Sequence, residues 1–413
     1  MPFIELTKNP EISQWNLLKS ILCQNKDTIY GVKHKFESIK SYQDFQNLIP
    51  INEYEDLRYY IDQQEHSGKP YLNSKQPVMY AQTSGTTGEP KNIPILDASV
   101  ESYKRNQSLF SYTQYNFDCN VYSGKILAIV SPDIEGKLST GTPYGAISGL
   151  IYKSLPTLIK RSYLLPFEIF TVSDYDVKYY LICAFALNSE DITLIATPNP
   201  STILRLKDII DENFEKLLSD IELGELSCIE KIDPEKRQKI SSKFKPNQLR
   251  ALQLRELKNK NGDLTISDIW PNLKLISTWT SGNCSILLPA LYAQLNHNKI
   301  IGEVGYMSSE FRGTINLDIK NEIQIPTLNE NFFEFVERGE FGNKNPKFYM
   351  LHEIEIGKDY YIFVTTQNGL YRYFINDIIQ VAGKYNNTPT IRFVQKGSGV
   401  VNLTGEKLYE EQV

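Results

Sequence analysis

The segment from Tyr80 to Ile95, YAQTSGTTGEPKNIPI, gathers glycines, hydroxyl side chains and one lysine. Gly85 and Gly88 can take positive φ, which lets consecutive backbone amides converge on an anion. Ser84, Thr86 and Thr87 add hydroxyl donors, and Lys91 adds a mobile positive charge. Together these groups suit the gripping of a polyphosphate. The spacing is not that of a Walker A loop, which needs GxxxxGK followed by Ser or Thr; Gly85 stands six positions before Lys91, and Asn92 follows. Taken alone, such a cluster also fits a polar surface turn. A second segment, IIGEVGYMSSEFRGT (Ile300 to Thr314), brings an aromatic, two serines and a carboxylate close together as Tyr306, Met307, Ser308, Ser309 and Glu310. By itself it reads equally as a serine-capped helix start with Glu310 in the first turn. A third, GLYRYFINDIIQVAG (Gly369 to Gly383), presents Asp377 after Tyr371, Arg372 and Tyr373, where an ordinary turn carboxylate is the plain alternative.

The elements that must position these groups follow from hydrophobic periodicity. The first eighty residues read as mostly helical, and Asn52 is placed to cap a helix that carries Leu57, Tyr60 and Ile61. Short apolar runs at Lys125 to Val130, Asp191 to Thr197 and Leu273 to Thr278 read as buried strands with helices between them, which predicts an α/β fold. One long helix is predicted after Asn199, with Leu206, Ile209, Ile210, Phe214, Leu217, Leu218 and Ile221 on its apolar face and a stop at Gly224. From Phe332 to Val394 the chain alternates as strands do, including FYMLHEIEIG and YYIFVTT, and a sheet or distorted barrel is expected beside the α/β part. The polar stretches 258–263 and 383–389 are expected to be exposed loops.

The order TSGTTGxPK resembles the signature loop of the adenylate-forming superfamily, which includes firefly luciferase and the acyl-CoA synthetases. Tyr306 to Glu310 is similar to that superfamily's YGxTE motif, in the YxSSE form of one branch, and Tyr371 to Asp377 is similar to YRxGD. The resemblance implies that Tyr306 stacks on adenine, with Met307, Ser308 and Ser309 beside it in the nucleotide site. It further implies that Glu310 holds Mg²⁺ against the phosphates and that Asp377 accepts hydrogen bonds from both ribose hydroxyls. Asn376 stands where the pattern has glycine; asparagine tolerates the left-handed region better than most residues. Where the superfamily carries an arginine past the last strand, this chain has Gln395-Lys396, so Lys396 takes the hinge contact without arginine's fork.

The stretches STGTPYGAISGL, TPNPSTILRL, TWTSGNCSILLPAL and GEKLYEEQV select a branch. They resemble the auxin-responsive acyl-acid amido synthetase family, in a microbial rather than a plant form. The resemblance implies a large N-terminal adenylation domain over 1–395, with 396–413 a hinge and the start of a C-terminal domain whose lysine and lid the sequence does not reach. Lys407 falls at that domain's expected first helix. The implied reaction is a two-step ligation: ATP activates a carboxylic acid as its acyl adenylate, and an amino acid amine displaces AMP. No nucleophilic side chain is required, and Lys91 and Glu310 supply charge stabilisation. An acyl-CoA or carrier-protein ligase sharing the first step is the nearest alternative, and a non-catalytic nucleotide- or acyl-binding module is an alternative of another class. Trp279 and Tyr144 are candidates for the acyl pocket or for the core. Arg312 and Arg372 are candidates for anion contacts or for structural ion pairs.

Bulk properties narrow the partners. A formal charge of −5 over 413 residues leaves no basic footprint for nucleic acid. The apolar runs are too short to span a bilayer, and the beginning of the chain lacks a signal-peptide pattern. Five scattered cysteines without CxxC spacing fit reduced thiols, and four dispersed histidines give no zinc spacing. No GxSxG elbow occurs. The expectation is a cytoplasmic enzyme using ATP and Mg²⁺, with a small carboxylic acid and an amino acid as substrates. No nucleic-acid or membrane partner is expected, and a monomer is favoured.

Overall fold

The computed structural model describes residues 2–83, 89–155, 157–296, 300–397, 400–402 and 407–409. The chain divides into two compact units, one of residues 1–110, 133–147 and 305–413, the other of residues 111–132 and 148–304. No helix among the described residues is long and apolar enough to cross a membrane.

The second unit is built on a parallel sheet. Its strands Lys125–Ala128, Ile192–Ala196, Leu275–Thr278 and Ile300–Glu303 lie side by side in chain order. The side chains of the first three are almost wholly buried, as a sheet covered on both faces requires, which is why the apolar runs mark them. Helix Tyr175–Asn188 is buried nearly all round and anchors a core with Leu127, Ile195, Ile209, Leu218 and Trp270. The helix expected over 200–223 is two: Pro200–Glu212 and Phe214–Leu223. They part at Asn213, whose backbone leaves helical geometry at φ −119° and ψ 20° and whose side-chain amide donates to the Ile209 carbonyl at 3.0 Å, while the apolar spacing continues past it. The stop at Gly224 is as expected, with φ 72°. The stretch 258–263 is mostly helix rather than loop, since Gln248–Asn261 runs on to Gly262 at φ 76°.

The first unit opens with helices, among them Pro10–Asn25, Tyr42–Leu48 and Tyr54–Ser67. Glu53, not Asn52, stands at the start of the last of these, in a reciprocal pair with Asp56. Asn52 instead bridges to Tyr373, its amide donating to the Tyr371 carbonyl at 2.6 Å and to the Tyr30 hydroxyl at 2.9 Å. Strands Met79–Thr83 and Lys91–Ile95 pair antiparallel, with Thr83 opposite Lys91, and Pro143–Gly145 and Gly136–Lys137 extend that sheet.

The strand-rich segment forms a five-stranded antiparallel sheet ordered Tyr349–Met350, Asn331–Glu337, Asp359–Thr366, Tyr373–Tyr385, Thr388–Lys396. The chain is thus mixed α/β, with a sheet-rich first unit and a parallel sheet in the second. FYMLHEIEIG is a strand only at Tyr349–Met350; a 3₁₀ turn at Leu351–Glu353 ends it, with Glu353 accepting from the Met350 amide at 2.7 Å. The 383–389 stretch is a hairpin inside the sheet, turning at Asn386 with φ 53°. Lys407–Tyr409 is a strand paired with Val400–Asn402, not the beginning of a helix, as the β-branched Val400 and Val401 favour.

Candidate nucleotide site

The described groups expected at the nucleotide site, Lys91, Tyr306 to Glu310, Asp377 and Lys396, all belong to the first unit. Ser84, Gly85, Thr86, Thr87 and Gly88 lie outside the described residues. Their flanks are described: the antiparallel pair places Thr83 opposite Lys91. Lys91 is half-buried, with its ammonium 5.7 Å from the centre of the Tyr54 ring. The Tyr54 hydroxyl in turn accepts from the Asn92 amide at 2.7 Å.

Tyr306 follows the strand Ile300–Glu303 and sits in a tight β-like turn instead of a helix. Its carbonyl accepts from the amides of Gly313 and Thr314 at 2.8 and 3.0 Å, and its amide donates to the Thr314 hydroxyl at 2.8 Å. Met307 bridges to Arg312, the Ser308 amide donates to the Phe311 carbonyl at 2.9 Å, and the Ser308 hydroxyl accepts from the Glu310 amide at 3.3 Å. Met307, Ser308 and Ser309 are half-buried, and Glu310 is buried. Gly313 is required beneath this turn: a Cβ there would come within 2.3 Å of the Tyr306 ring.

The Tyr306 hydroxyl donates to Asp377 Oδ2 at 2.5 Å. Lys396, directly opposite Asp377 on the next strand, forms an ion pair with Oδ1. Asp377 is buried, and burial holds its carboxyl above the usual carboxylate range against the opposing pull of Lys396 and Tyr306. Burial, then the charge of Asp377, pushes the Tyr306 phenol well above its ordinary value. Asn376 takes φ 58°, the left-handed conformation its position calls for, and its carbonyl accepts from the Gly397 amide at 2.8 Å. A bulge between Ile378 and Ile379 leaves Val394 as the extra residue on the neighbouring strand and turns Phe393 toward Tyr306. Those two rings stack at 5.6 Å and 15°. Phe393 is the neighbour that sequence reasoning missed, and only an aromatic close to a strand end marks it.

Glu310 lines a narrow cavity with Ser102, Tyr103, Glu330, Thr366 and Asn368. Burial first, and the charge of Glu310 in addition, raise the phenols of Tyr306 and Tyr373 and the carboxyl of Asp377. The cavity offers hydroxyl, amide and carboxylate oxygens, the hard donors that Mg²⁺ accepts. Among the described residues no group of three or more His, Cys, Asp or Glu is arranged to hold a metal by itself.

Arg372 is an ion-pair residue. Its Nε donates to Glu334 Oε2 at 2.9 Å and its Nη1 to the Ile49 carbonyl at 2.9 Å, with both side chains buried. Arg312 is buried as well; its Nε donates to the Thr314 carbonyl at 3.3 Å, and burial lowers its pKa against the nearby charge of Glu330. Tyr144 covers Gly136 within its sheet. Trp279, in the second unit, is half-buried past the end of its strand, its amide donating to the Pro198 carbonyl at 2.8 Å.

A model of the GH3 family N-terminal domain matches residues 2–300, and one of the GH3 family central domain matches residues 324–396. Indole-3-acetic acid-amido synthetase GH3.3 of Arabidopsis thaliana is 26% identical over 425 residues, 99% of this chain and 71% of that protein. The probable indole-3-acetic acid-amido synthetase GH3.1 of the same plant is 27% identical, over 99% of this chain and 70% of its own length. These plant relatives correct the expectation of a microbial member. Among solved structures, the GH3.15 acyl acid amido synthetase superposes with a TM-score of 0.83 at 24% identity, over 98% of this chain and 72% of that one. A 2-hydroxyisobutyryl-CoA ligase reaches a TM-score of 0.57 at 13% identity, over 97% and 71%, a likeness of fold alone.

Proposed function

Since this chain belongs to the GH3 family, we propose that it binds ATP against Lys91, Tyr306, Glu310, Asp377 and Lys396, and that Mg²⁺ accompanies the nucleotide. The chain is an acyl-acid amido synthetase, a ligase that forms a carbon–nitrogen bond through an acyl adenylate. A carboxylate oxygen of the acid attacks the α-phosphorus of ATP and pyrophosphate leaves; an amine then attacks the acyl carbon and AMP leaves. The single observation that carries the nucleotide reading is the direct contact of Tyr306 and Lys396 with the buried Asp377.

In this reading Lys396 opposes the neutralising effect of burial on Asp377, whose two oxygens are placed to accept from two ribose hydroxyls. The ribose competes with the Tyr306 hydroxyl for Oδ2. The Tyr306 and Phe393 rings supply an apolar wall for the purine. Lys91, at the base of the phosphate-loop segment, draws the polyphosphate in. Glu310 fits as the protein's ligand for Mg²⁺, which when bound would neutralise phosphate charge. Met307, Ser308 and Ser309 shape the turn that aims Glu310. The acid is a small carboxylic acid and the acceptor an amino acid; the names of the plant relatives make indole-3-acetic acid the first acid to try.

The test has two arms. Crystals soaked with AMP are expected to show the ribose at Asp377 and the purine beside Tyr306; a nucleotide bound elsewhere overturns the site. Incubation of indole-3-acetate, benzoate and octanoate with ATP, Mg²⁺, mixed amino acids and coenzyme A, read by mass spectrometry, is expected to give an amide. A thioester without amide would sink the amido-synthetase assignment.

A further inference from the structure

We infer that Glu303 is a positioning residue that fixes the turn Thr278 to Gly282 and thereby the chain's selection of its acid. The proposal rests on the ligase reading but uses residues of the second unit that no part of the nucleotide site employs.

Glu303 is the last residue of the strand Ile300–Glu303 and is 4% exposed. On a buried strand end an acidic side chain is costly unless its oxygens are bonded. Here one carboxylate oxygen accepts twice from the same residue, from the Thr280 amide at 2.8 Å and from the Thr280 hydroxyl at 2.9 Å. The neighbouring strand ends at Thr278, directly opposite Glu303. From there the chain turns through Trp279 to Ser281 into the 3₁₀ helix Gly282–Leu287. The turn is held on its other side by the Pro198 carbonyl, which accepts from the Thr278 hydroxyl at 2.9 Å and the Trp279 amide at 2.8 Å. The turn is thus clamped between the continuations of the strands on either side, and Trp279, half-buried, is the large apolar group it presents.

Two features make this a ligand-facing clamp and not simple core repair. The turn lies at the carboxyl ends of a parallel sheet, where open α/β sheets bind their ligands. The clamp is also charge-assisted and made to the turn's backbone, so it sets the direction of Trp279 more strictly than apolar packing does. An aromatic held in this way is suited to the apolar part of a carboxylic acid, and a shift of its ring changes which acid fits. The active site of adenylation takes no proton from Glu303; its action passes through Thr280.

The experiment compares Glu303→Leu, Glu303→Gln and Thr280→Val in the 413-residue chain. Acid-dependent exchange of labelled pyrophosphate into ATP is measured with indole-3-acetate, benzoate and octanoate. Glu303→Leu is expected to raise the KM for the best of these acids by at least about tenfold and to alter the ranking among them, with the KM for ATP within about twofold. Glu303→Gln, which keeps an accepting oxygen, is expected to restore most of the acid KM, and Thr280→Val to sit between. Parallel changes in both KM values, or an unchanged acid KM in Glu303→Leu, overturn the inference. If Glu303→Leu does not fold, Thr280→Val against Glu303→Gln makes the same comparison. Acid-induced quenching of the fluorescence that Trp279→Phe removes reads the clamp without turnover: it is expected in the unaltered chain and weakened in Thr280→Val, and equal quenching in both counts against the proposal. Failure of the unaltered chain to exchange with any acid would count against the ligase reading, while the fluorescence arm still decides the role of Glu303.

Discussion

Replacing Lys396 by Met isolates the charge economy of the candidate site. The Lys396 and Asp377 side chains are 16% and 3% exposed, so Lys396→Met leaves a carboxylate buried without its cation. Breaking a buried pair by removing one partner costs about 3–5 kcal/mol. The residual exposure of Lys396 admits water, and the Tyr306 hydroxyl still donates to Oδ2, so a loss of about 2–4 kcal/mol is expected near neutral pH. The pH dependence has a definite sign. The folded pKa of Asp377 already lies above the ordinary carboxylate value of 3.8, so folding favours its protonated form. That contribution is complete below the ordinary value and is lost as pH rises through the folded one. Without Lys396 the folded value rises further, so the deficit of Lys396→Met should shrink on acidification to about pH 5. Guanidinium unfolding followed by circular dichroism at the two pH values gives the difference directly. Lys396→Met/Asp377→Asn should recover most of the loss, because the uncompensated charge is gone. A deficit below about 1 kcal/mol, a deficit equal at both pH values, or no recovery in the double variant would refute the reasoning.

Gly313→Ala should destabilise by about 1–3 kcal/mol, since its Cβ meets the Tyr306 ring; a nucleotide titration should also show weaker AMP binding, and an unperturbed variant would mean the turn has room. Asn376→Gly should be tolerated within about 0.5 kcal/mol, whereas Asn376→Val should cost about 1–3 kcal/mol at φ 58°, both read by thermal unfolding. Glu310→Gln should raise the Mg²⁺ concentration needed for half-maximal pyrophosphate exchange by about tenfold while leaving AMP affinity without metal nearly unchanged. Equal metal dependence would remove Glu310 from the metal's surroundings.

Legibility in the sequence followed the range of the forces involved. The parallel strands announced themselves because both faces are buried, as Leu275, Ile276 and their neighbours show. Chemistry-bearing groups were legible where a motif fixed several positions at once, as at Tyr306 to Glu310, or where one unusual conformation was demanded, as at Asn376. What escaped were contacts set by distant chain. Asn52 reads as a local cap, yet its amide is committed to the Tyr371 carbonyl, 319 positions away. The break at Asn213 is hidden because the apolar stripe continues through it into the next helix. Arg372 looks as available to an anion as to a carboxylate until Glu334 is seen beside it. Phe393 gains its neighbour from a bulge, and a bulge shifts register without altering the alternation of residue types.

The opening helices are stitched to the late strands by bonds of long reach. Gln14 accepts from the Phe333 amide and donates to the Asn331 carbonyl, both at 2.9 Å, and the Thr388 hydroxyl donates to the Thr7 carbonyl at 2.9 Å across a separation of 381 residues. During synthesis on the ribosome, the first helices therefore wait until the strands at 331–337 and 388–396 have been made before their buried groups find partners. Such high contact order slows folding and leaves apolar surface exposed to aggregation meanwhile. Recombinant yield should accordingly respond to slower translation or chaperone supply more than to changes on the solvent-facing helix surfaces.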